Sequence, residues 1–581
     1  MRSLSTPAAP PLARTRPLAP LALFAVAVAL AVALAGCGSS ASPGSTVDPA
    51  TVIPASAPLF ADASVRPSGS LKSAALAAGK ALTHQSDPYL RLLGALQTPG
   101  APQLSFAHDI APWLGPSAGV YLSSLSSAGT LLSDLQSGLL GGSGSASFPF
   151  SAGGAQGAIV LDTSDASKAQ SFLSTQASHA GAHTTSYRGI SYKLSSGGVA
   201  FGLVHRLAVI GSESGIHGVI DTALGGASLR SSSAYSKLLT KAPTGALGHL
   251  YSNPAGAIST GPAEGISGLL GLLAGPSEAN ISVVPSSSSL TLDADTLATN
   301  TAAGLLSSNP ESAKALSELP GESWLAVGAG HLGSSLNQYI QGLSALGSLA
   351  SIPGVSSPEG SGVSGLSIKS LLGAMLAPLQ VLGSSSAQAR HDFASWMGSA
   401  GMFASGGSLL ELKAAIVISS KDPALSRAAV AKLTAALQKT GASPRSVSIP
   451  GTDAAAGVAI SGLPVVLDIA DGRAADGQTK FVLGFGEPSV EEALSPSSTM
   501  ASAASSSAAS TALGGGVQPS VLVDFPTLLT LLEGVGLTSD PSISPFVAYL
   551  RSLSTLAGGG HELGGGVQRF GLVLGLQQNG G

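Results

Sequence analysis

Histidine beside aspartate is the arrangement an imidazole base needs, because the carboxylate orients the ring and stabilises its protonated form. The chain carries this pair twice, as His108-Asp109 and His391-Asp392. Each pair stands just before a tryptophan turn, Trp113-Leu114-Gly115 and Trp396-Met397-Gly398. There His and Asp are expected to close a helix end while the indole anchors the turn in a core. Duplication of the whole group favours that structural role over a single-use base.

The other candidates for chemistry lack their context. Gly115-Pro116-Ser117-Ala118-Gly119 matches the Gly-x-Ser-x-Gly of a serine nucleophile. It follows the Trp113 turn, however, where a nucleophile elbow requires a β-branched strand. Gly328-Ala329-Gly330-His331-Leu332-Gly333 has dinucleotide-fingerprint spacing, but the acidic residue expected about 20 positions on is missing. His179 and His183 stand four apart without a third ligand. Asp293 and Asp295 have no calcium-loop surroundings. Glu213 and Glu487 are expected to cap the helices they precede. The expectation is a chain without catalytic residues, cofactor or metal.

Cys37 is different. It is the only cysteine of 581 residues, so it can form neither an internal disulfide nor a multi-thiolate metal site. Arg2, Arg14 and Arg16 precede an apolar run from Leu18 to Ala35, and the run ends in Leu34-Ala35-Gly36-Cys37. Positive charge, an apolar stretch and small residues before the cleavage point make a signal peptide over residues 1–36. The last four residues resemble the lipobox of bacterial lipoproteins, which implies lipidation of Cys37 and extracytoplasmic anchoring to the cell membrane. Residues 37–52, rich in Ser, Pro, Thr, Ala and Gly, read as a flexible tether with a reach of about 20 Å.

Composition narrows the partners. Charged residues are 10% of the chain and the net charge is -4, which leaves no basic field for nucleic acid. No second apolar run long enough to span a bilayer follows Cys37. The expected partners are the membrane, through acylated Cys37, and another envelope protein or a lipid.

The elements that must position these residues come in two sets. The His-Asp-x-x-x-Trp group recurs with two of the three tryptophans in matching places. Pro54 before Leu59 to Val65 is matched by Pro320 before Trp324 to Val327. Ile159-Val160-Leu161 is matched by Ile416-Val417-Ile418, and Ala208 to Gly211 by Phe481 to Gly484. The reading is two homologous repeats, residues 53–300 with an insert at about 124–154, and 316–581 with an insert at about 342–365. Asp422-Pro423 starts a helix whose apolar face is Leu425, Ala429, Leu433 and Leu437, and Ser164-Asp165 opens its counterpart. Ile190 to Leu194, Gly198 to Val204 and Leu207 to Gly211 read as antiparallel strands. The fold class is α+β, each repeat a mostly antiparallel sheet with helices packed on one face.

Further short motifs carry a family resemblance. They are Arg66-Pro67 after the first strand, Pro112-Trp113-Leu114-Gly115, Tyr187-Arg188-Gly189-Ile190, and Gly486-Glu487 leading to Glu492-Ala493-Leu494. With them the chain resembles a family of actinobacterial envelope proteins known as domain of unknown function 3352, over most of residues 50–577. The resemblance supports a lipoprotein and implies no activity. Three functions follow as expectations: a binding or structural component of the envelope, a carrier of a lipid or other apolar ligand, or a hydrolase acting on envelope polymers.

Overall fold

Strands apolar on both sides need cover on both sides, and the middle strands of this chain are of that kind. A computed structural model describes residues 47–83, 104–124, 150, 154–253, 278–297, 309–333, 336, 390–408, 410–439, 442–459, 466–534, 536–539 and 544–577. Cys37, the signal peptide, the 342–365 insert and most of the 124–154 insert lie outside the described residues.

The first half contributes ten strands, β1 (Leu59–Ser64), β2 (Leu114–Leu122), β3 (Gly157–Thr163), β4 (His183–Tyr187), β5 (Ile190–Leu194), β6 (Val199–Val204), β7 (Leu207–Ser212), β8 (Gly248–Ser252), β9 (Ala279–Pro285) and β10 (Ser289–Leu297). The second contributes β11 (Leu325–Ala329), β12 (Met397–Ser405), β13 (Lys413–Ser420), β14 (Ser443–Arg445), β15 (Thr452–Ala459), β16 (Val466–Arg473), β17 (Thr479–Phe485), β18 (Val521–Asp524), β19 (Leu553–Gly564) and β20 (Val567–Leu576). They form one twenty-stranded sheet. From one edge it runs β4-β5-β6-β7-β3-β2-β1-β8-β9-β10, each neighbour antiparallel. β10 then pairs with β20, and the sheet continues β20-β19-β18-β11-β12-β13-β17-β16-β15-β14. The two halves have the same strand order, reversed about the β10–β20 seam. One sheet per half was expected from the sequence, and the last strand of each half instead fuses the two into one.

Helices lie on both faces, which corrects the expectation of one. In the first half α1 (Gly69–Thr83) follows β1, α2 (Ala166–His179) follows β3, α3 (Glu213–Ala223) follows β7, and α4 (Ser233–Lys241) leads into β8. Leu173 of α2 packs with Val199, Phe201 and Ala208. Ile216, Val219 and Ile220 of α3 pack with Ala200, Leu207 and Val209, on the opposite side of the same strands. The burial of β6 and β7 is nearly continuous, so period-two alternation disappears and each face recruits a helix. The second half repeats this with α5 (Pro310–Ser317), α6 (Pro423–Lys439), α7 (Glu487–Leu494), α8 (Ala504–Leu513), α9 (Phe525–Gly534) and α10 (Ser544–Arg551). Leu433 and Leu437 of α6 meet Ile416, Ile418 and Phe481, while Val490 of α7 meets Ala415, Val417 and Val482 across the sheet.

The tether ends sooner than its composition indicated. Asp48 accepts the Ala50 amide at 2.9 Å and caps a short turn, and Ala50, Val52 and Ile53 are buried in the first core. From Val47 onward the chain is folded, because these apolar residues have a core to enter.

Local devices match between the halves. Pro54 bridges to Ser228 and Pro320 to Thr499. A π-helical turn precedes β2 (Phe106–Ile110) and another precedes β12 (Arg390–Ala394). The indole N–H of Trp113 donates to the Asp109 carbonyl at 2.6 Å, and that of Trp396 to the Asp392 carbonyl at 2.9 Å.

Candidate functional site

Side-chain size at matched sheet positions differs between the described residues of the two halves. In the first, Phe60 on β1 stands opposite Tyr251 on β8. Tyr235 of α4 packs edge-on against both, at 6.2 and 5.2 Å between ring centroids, and all three are buried. At the same place in the second half, Ala326 on β11 stands opposite Leu522 on β18. The helix above is α8, which presents Ala508, Ala509 and Ala512. Ala326 is buried among Phe403, Ala509 and Leu522, and next to it Ala509 and Leu522 line a partly open cavity of about 490 Å³. Leu522, Leu556, Ala557 and Val573 line it from the sheet, and Trp324 lines it too. Its indole N–H donates to the Gly406 carbonyl at 3.1 Å, so the ring is held as an apolar wall. Volume and lining suit a small amphiphile.

Beside the pocket runs the seam. Arg569 of β20 grips Asp295 of β10 with two parallel hydrogen bonds of 2.7 and 2.8 Å, and it also donates to the carbonyl of Lys241 at the end of α4 at 2.6 Å. Asp293 lies 3.7 Å from the same guanidinium. Burial pushes both carboxyls above the usual range, and Arg569 draws them back. These aspartates therefore pin two strands together, a role the calcium-loop comparison did not reveal. Arg569 carried no local sequence signal, since its partner Asp295 is 274 residues away.

Along the same face of the first half lies Asp62, directly opposite His249 in the β1–β8 pairing. Its Oδ1 is buried and finds no hydrogen-bond partner among the described residues. Burial first, and then the charge of Asp48, push its carboxyl up to about 7. A free aspartate titrates near pH 3.9, so the folded protein holds this proton more tightly than the unfolded chain. Stability from Asp62 is full below about pH 4 and is lost as pH rises to about 7, at up to about 1.4 kcal/mol per pH unit. Asp62→Asn is expected to raise the urea midpoint at pH 8 and to flatten its dependence on pH between 5 and 8. An unchanged pH profile would contradict this.

The residues singled out from the sequence are dispersed. His108 is exposed and shares a 3.2 Å contact with the Ser105 hydroxyl, while Asp109 accepts the Ser105 amide at 2.7 Å. Asp392 holds Lys432. Both pairs thus brace the turns before β2 and β12. Ser117 sits within β2, away from any elbow, and donates to the Val47 carbonyl at 3.3 Å. In the Gly328 to Gly333 stretch, a Cβ at Gly328 would strike the Ser312 carbonyl of α5, one at Gly330 the Asn309 side chain, and one at Gly333 the Ala394 carbonyl. The Gly330 amide already donates to the Ser312 hydroxyl at 2.8 Å. Those glycines admit neighbouring backbone where a phosphate cradle would need open space. His179 ends α2 and His183 begins β4, both exposed.

Glu213 and Glu487 are the first residues of α3 and α7. The caps themselves are Ser212, whose hydroxyl accepts the Gly215 amide at 3.0 Å, and Gly486. The glutamates instead place negative charge at each helix's positive end, which corrects the expectation that they are caps. Among the described residues no cluster of three metal-ligating side chains occurs, and no helix is long and apolar enough to cross a membrane.

Comparison with known proteins adds a family. Residues 18–556 match a family model described as "Protein of unknown function (DUF3352)". No curated protein matches. Among solved structures, "Structure of crystal form I of TP0453" is similar at 13% identity and a TM-score of 0.24, covering 44% of this chain and 81% of that one. A likeness of that size carries no argument.

Proposed function

The chain belongs to the DUF3352 family of unknown function, and from its own residues we propose that it is a non-enzymatic lipoprotein of the actinobacterial envelope that binds an apolar ligand. In this reading Cys37 is acylated and anchors the protein outside the cytoplasm. Two homologous repeats follow. The duplication is supported by the shared strand order, the paired Trp113 and Trp396 turns and the paired Pro54 and Pro320 bridges. In the first repeat Phe60, Tyr235 and Tyr251 pack together, and in this reading the second repeat holds its ligand beneath α8.

The observation that carries the proposal is the cavity of about 490 Å³ between α8 and the sheet, lined by Leu522, the counterpart of Tyr251 in the first half. The polar candidates of the sequence are engaged elsewhere in turns, strand interiors and the seam. They serve the scaffold.

The test is to extract the protein from membranes and identify co-purifying molecules by mass spectrometry, together with two variants. The unaltered protein is expected to carry labelled fatty acid on Cys37 and a bound amphiphile. Cys37→Ala should lose the label and leave the membrane fraction. Ala508→Trp, at an exposed residue lining the cavity, should keep the anchor and lose the ligand. Membrane retention of Cys37→Ala would sink the tether, and an unchanged ligand in Ala508→Trp would sink the site.

A further inference from the structure

The ionisable groups around the cavity carry one sign of charge. Glu322 and Asp524 line it with the hydroxyls of Ser323, Ser505, Thr527 and Thr555, and among the described residues no lysine, arginine or histidine does. Among the described residues the Asp524 side chain accepts one hydrogen bond, from the Thr527 hydroxyl at 2.8 Å. An ionised carboxylate has about four acceptor positions, so most of its capacity is free for a ligand. Glu322 is exposed at the rim. Lys413 feels the charge of Glu322 but is held 2.8 Å from Glu492. The amino end of α9, which would otherwise attract an anion, follows directly on the Asp524 carboxylate.

This arrangement discriminates among head groups. A phosphate or carboxylate drawn into the cavity would lose water beside two like charges with no cation to meet it. A hydroxyl-bearing head does the reverse. Its O–H groups donate to Glu322 and Asp524, and the C–H face of a sugar ring can lie on the fixed indole of Trp324. Resting on the pocket reading above, we infer that the ligand is an amphiphile whose apolar chain enters between α8 and the sheet and whose head group is uncharged and rich in hydroxyls. The carboxylates select the head, and the alanines of α8 admit the chain.

The experiment uses the full chain carrying Cys37→Ala and three probes of equal chain length below their micelle concentrations: decyl maltoside, decanoate and decyltrimethylammonium. Binding is read by calorimetry and by fluorescence, to which Trp324 contributes the responsive signal because Trp113 and Trp396 are buried. Decyl maltoside is expected to bind at least about tenfold more tightly than decanoate, a gap of about 1.4 kcal/mol. In Glu322→Gln with Asp524→Asn the gap should narrow severalfold. Glu322→Gln alone, at an exposed site, should narrow it in part, and it keeps the test informative if the Asp524 change disturbs α9. Decanoate binding as tightly as the maltoside overturns the head-group assignment while leaving the pocket in place. Tighter binding of the ammonium probe overturns it in favour of a cation. Failure of all three to bind refutes the pocket reading itself.

Discussion

Replacing Arg569 with alanine is expected to cost about 3–5 kcal/mol of unfolding free energy, because it strands a buried carboxylate. Asp295 is fully buried, and its two short bonds to Arg569 are what make a charge tolerable there. The same guanidinium satisfies the Lys241 carbonyl, so the variant also orphans a backbone acceptor at the end of α4. With the cation gone, Asp295 titrates at higher pH than before, and the variant's stability should fall more steeply with rising pH than that of the unaltered protein. Asp295→Asn combined with Arg569→Met should recover most of the loss, since an apolar replacement of a buried pair is often neutral or stabilising. Urea denaturation of the three proteins checks this. A loss below about 1 kcal/mol, the value of an exposed pair, would mean that water reaches the seam and that it holds nothing together.

That seam shows where sequence reasoning reaches and where it stops. Ile190 to Leu194 and Leu207 to Gly211 were legible as strands, and their observed spans agree closely. The helix after Asp422-Pro423 was legible too, because its cap and its apolar spacing are local: the Asp422 carboxylate accepts the Ala424 and Leu425 amides at 3.0 and 3.1 Å. What joins the halves was not local. Val567 of the second half is buried in the core of the first, and Leu563 packs against it, although nothing near either residue in the chain announces that destination. The face each helix covers was also hidden, since Val199 to Val204 is apolar throughout and names no preferred side. The cavity was the least legible feature. Its signal is the contrast between Ser233-Ala234-Tyr235 of α4 and the alanine and serine of α8. That contrast has meaning only after strand pairing has placed the two helices at equivalent positions. Cys37 lies outside the described residues, and its reading rests on its sequence neighbours alone.

Truncating either duplicated tryptophan should be about as damaging as breaking the seam, and the comparison separates anchoring from chemistry. Trp113 and Trp396 are 2% and 0% exposed, so Trp→Ala at each is expected to cost about 3–5 kcal/mol through lost burial and the cavity left behind. Each indole also packs on a phenylalanine, Phe172 in one case and Phe481 in the other, with 5.1 Å between ring centroids in both. Trp→Phe keeps much of this contact but leaves the Asp109 or Asp392 carbonyl without its indole donor, a smaller loss of about 1–3 kcal/mol. The two tryptophans belong to different core clusters, so the losses should add in the double variant to within about 0.5 kcal/mol. His108→Ala and His391→Ala touch exposed side chains and should each change stability by less than about 0.5 kcal/mol. The order Trp above His in both halves is what a pair of structural turns requires. A histidine variant that leaves stability intact yet abolishes ligand binding would show instead that the duplicated pairs face the ligand.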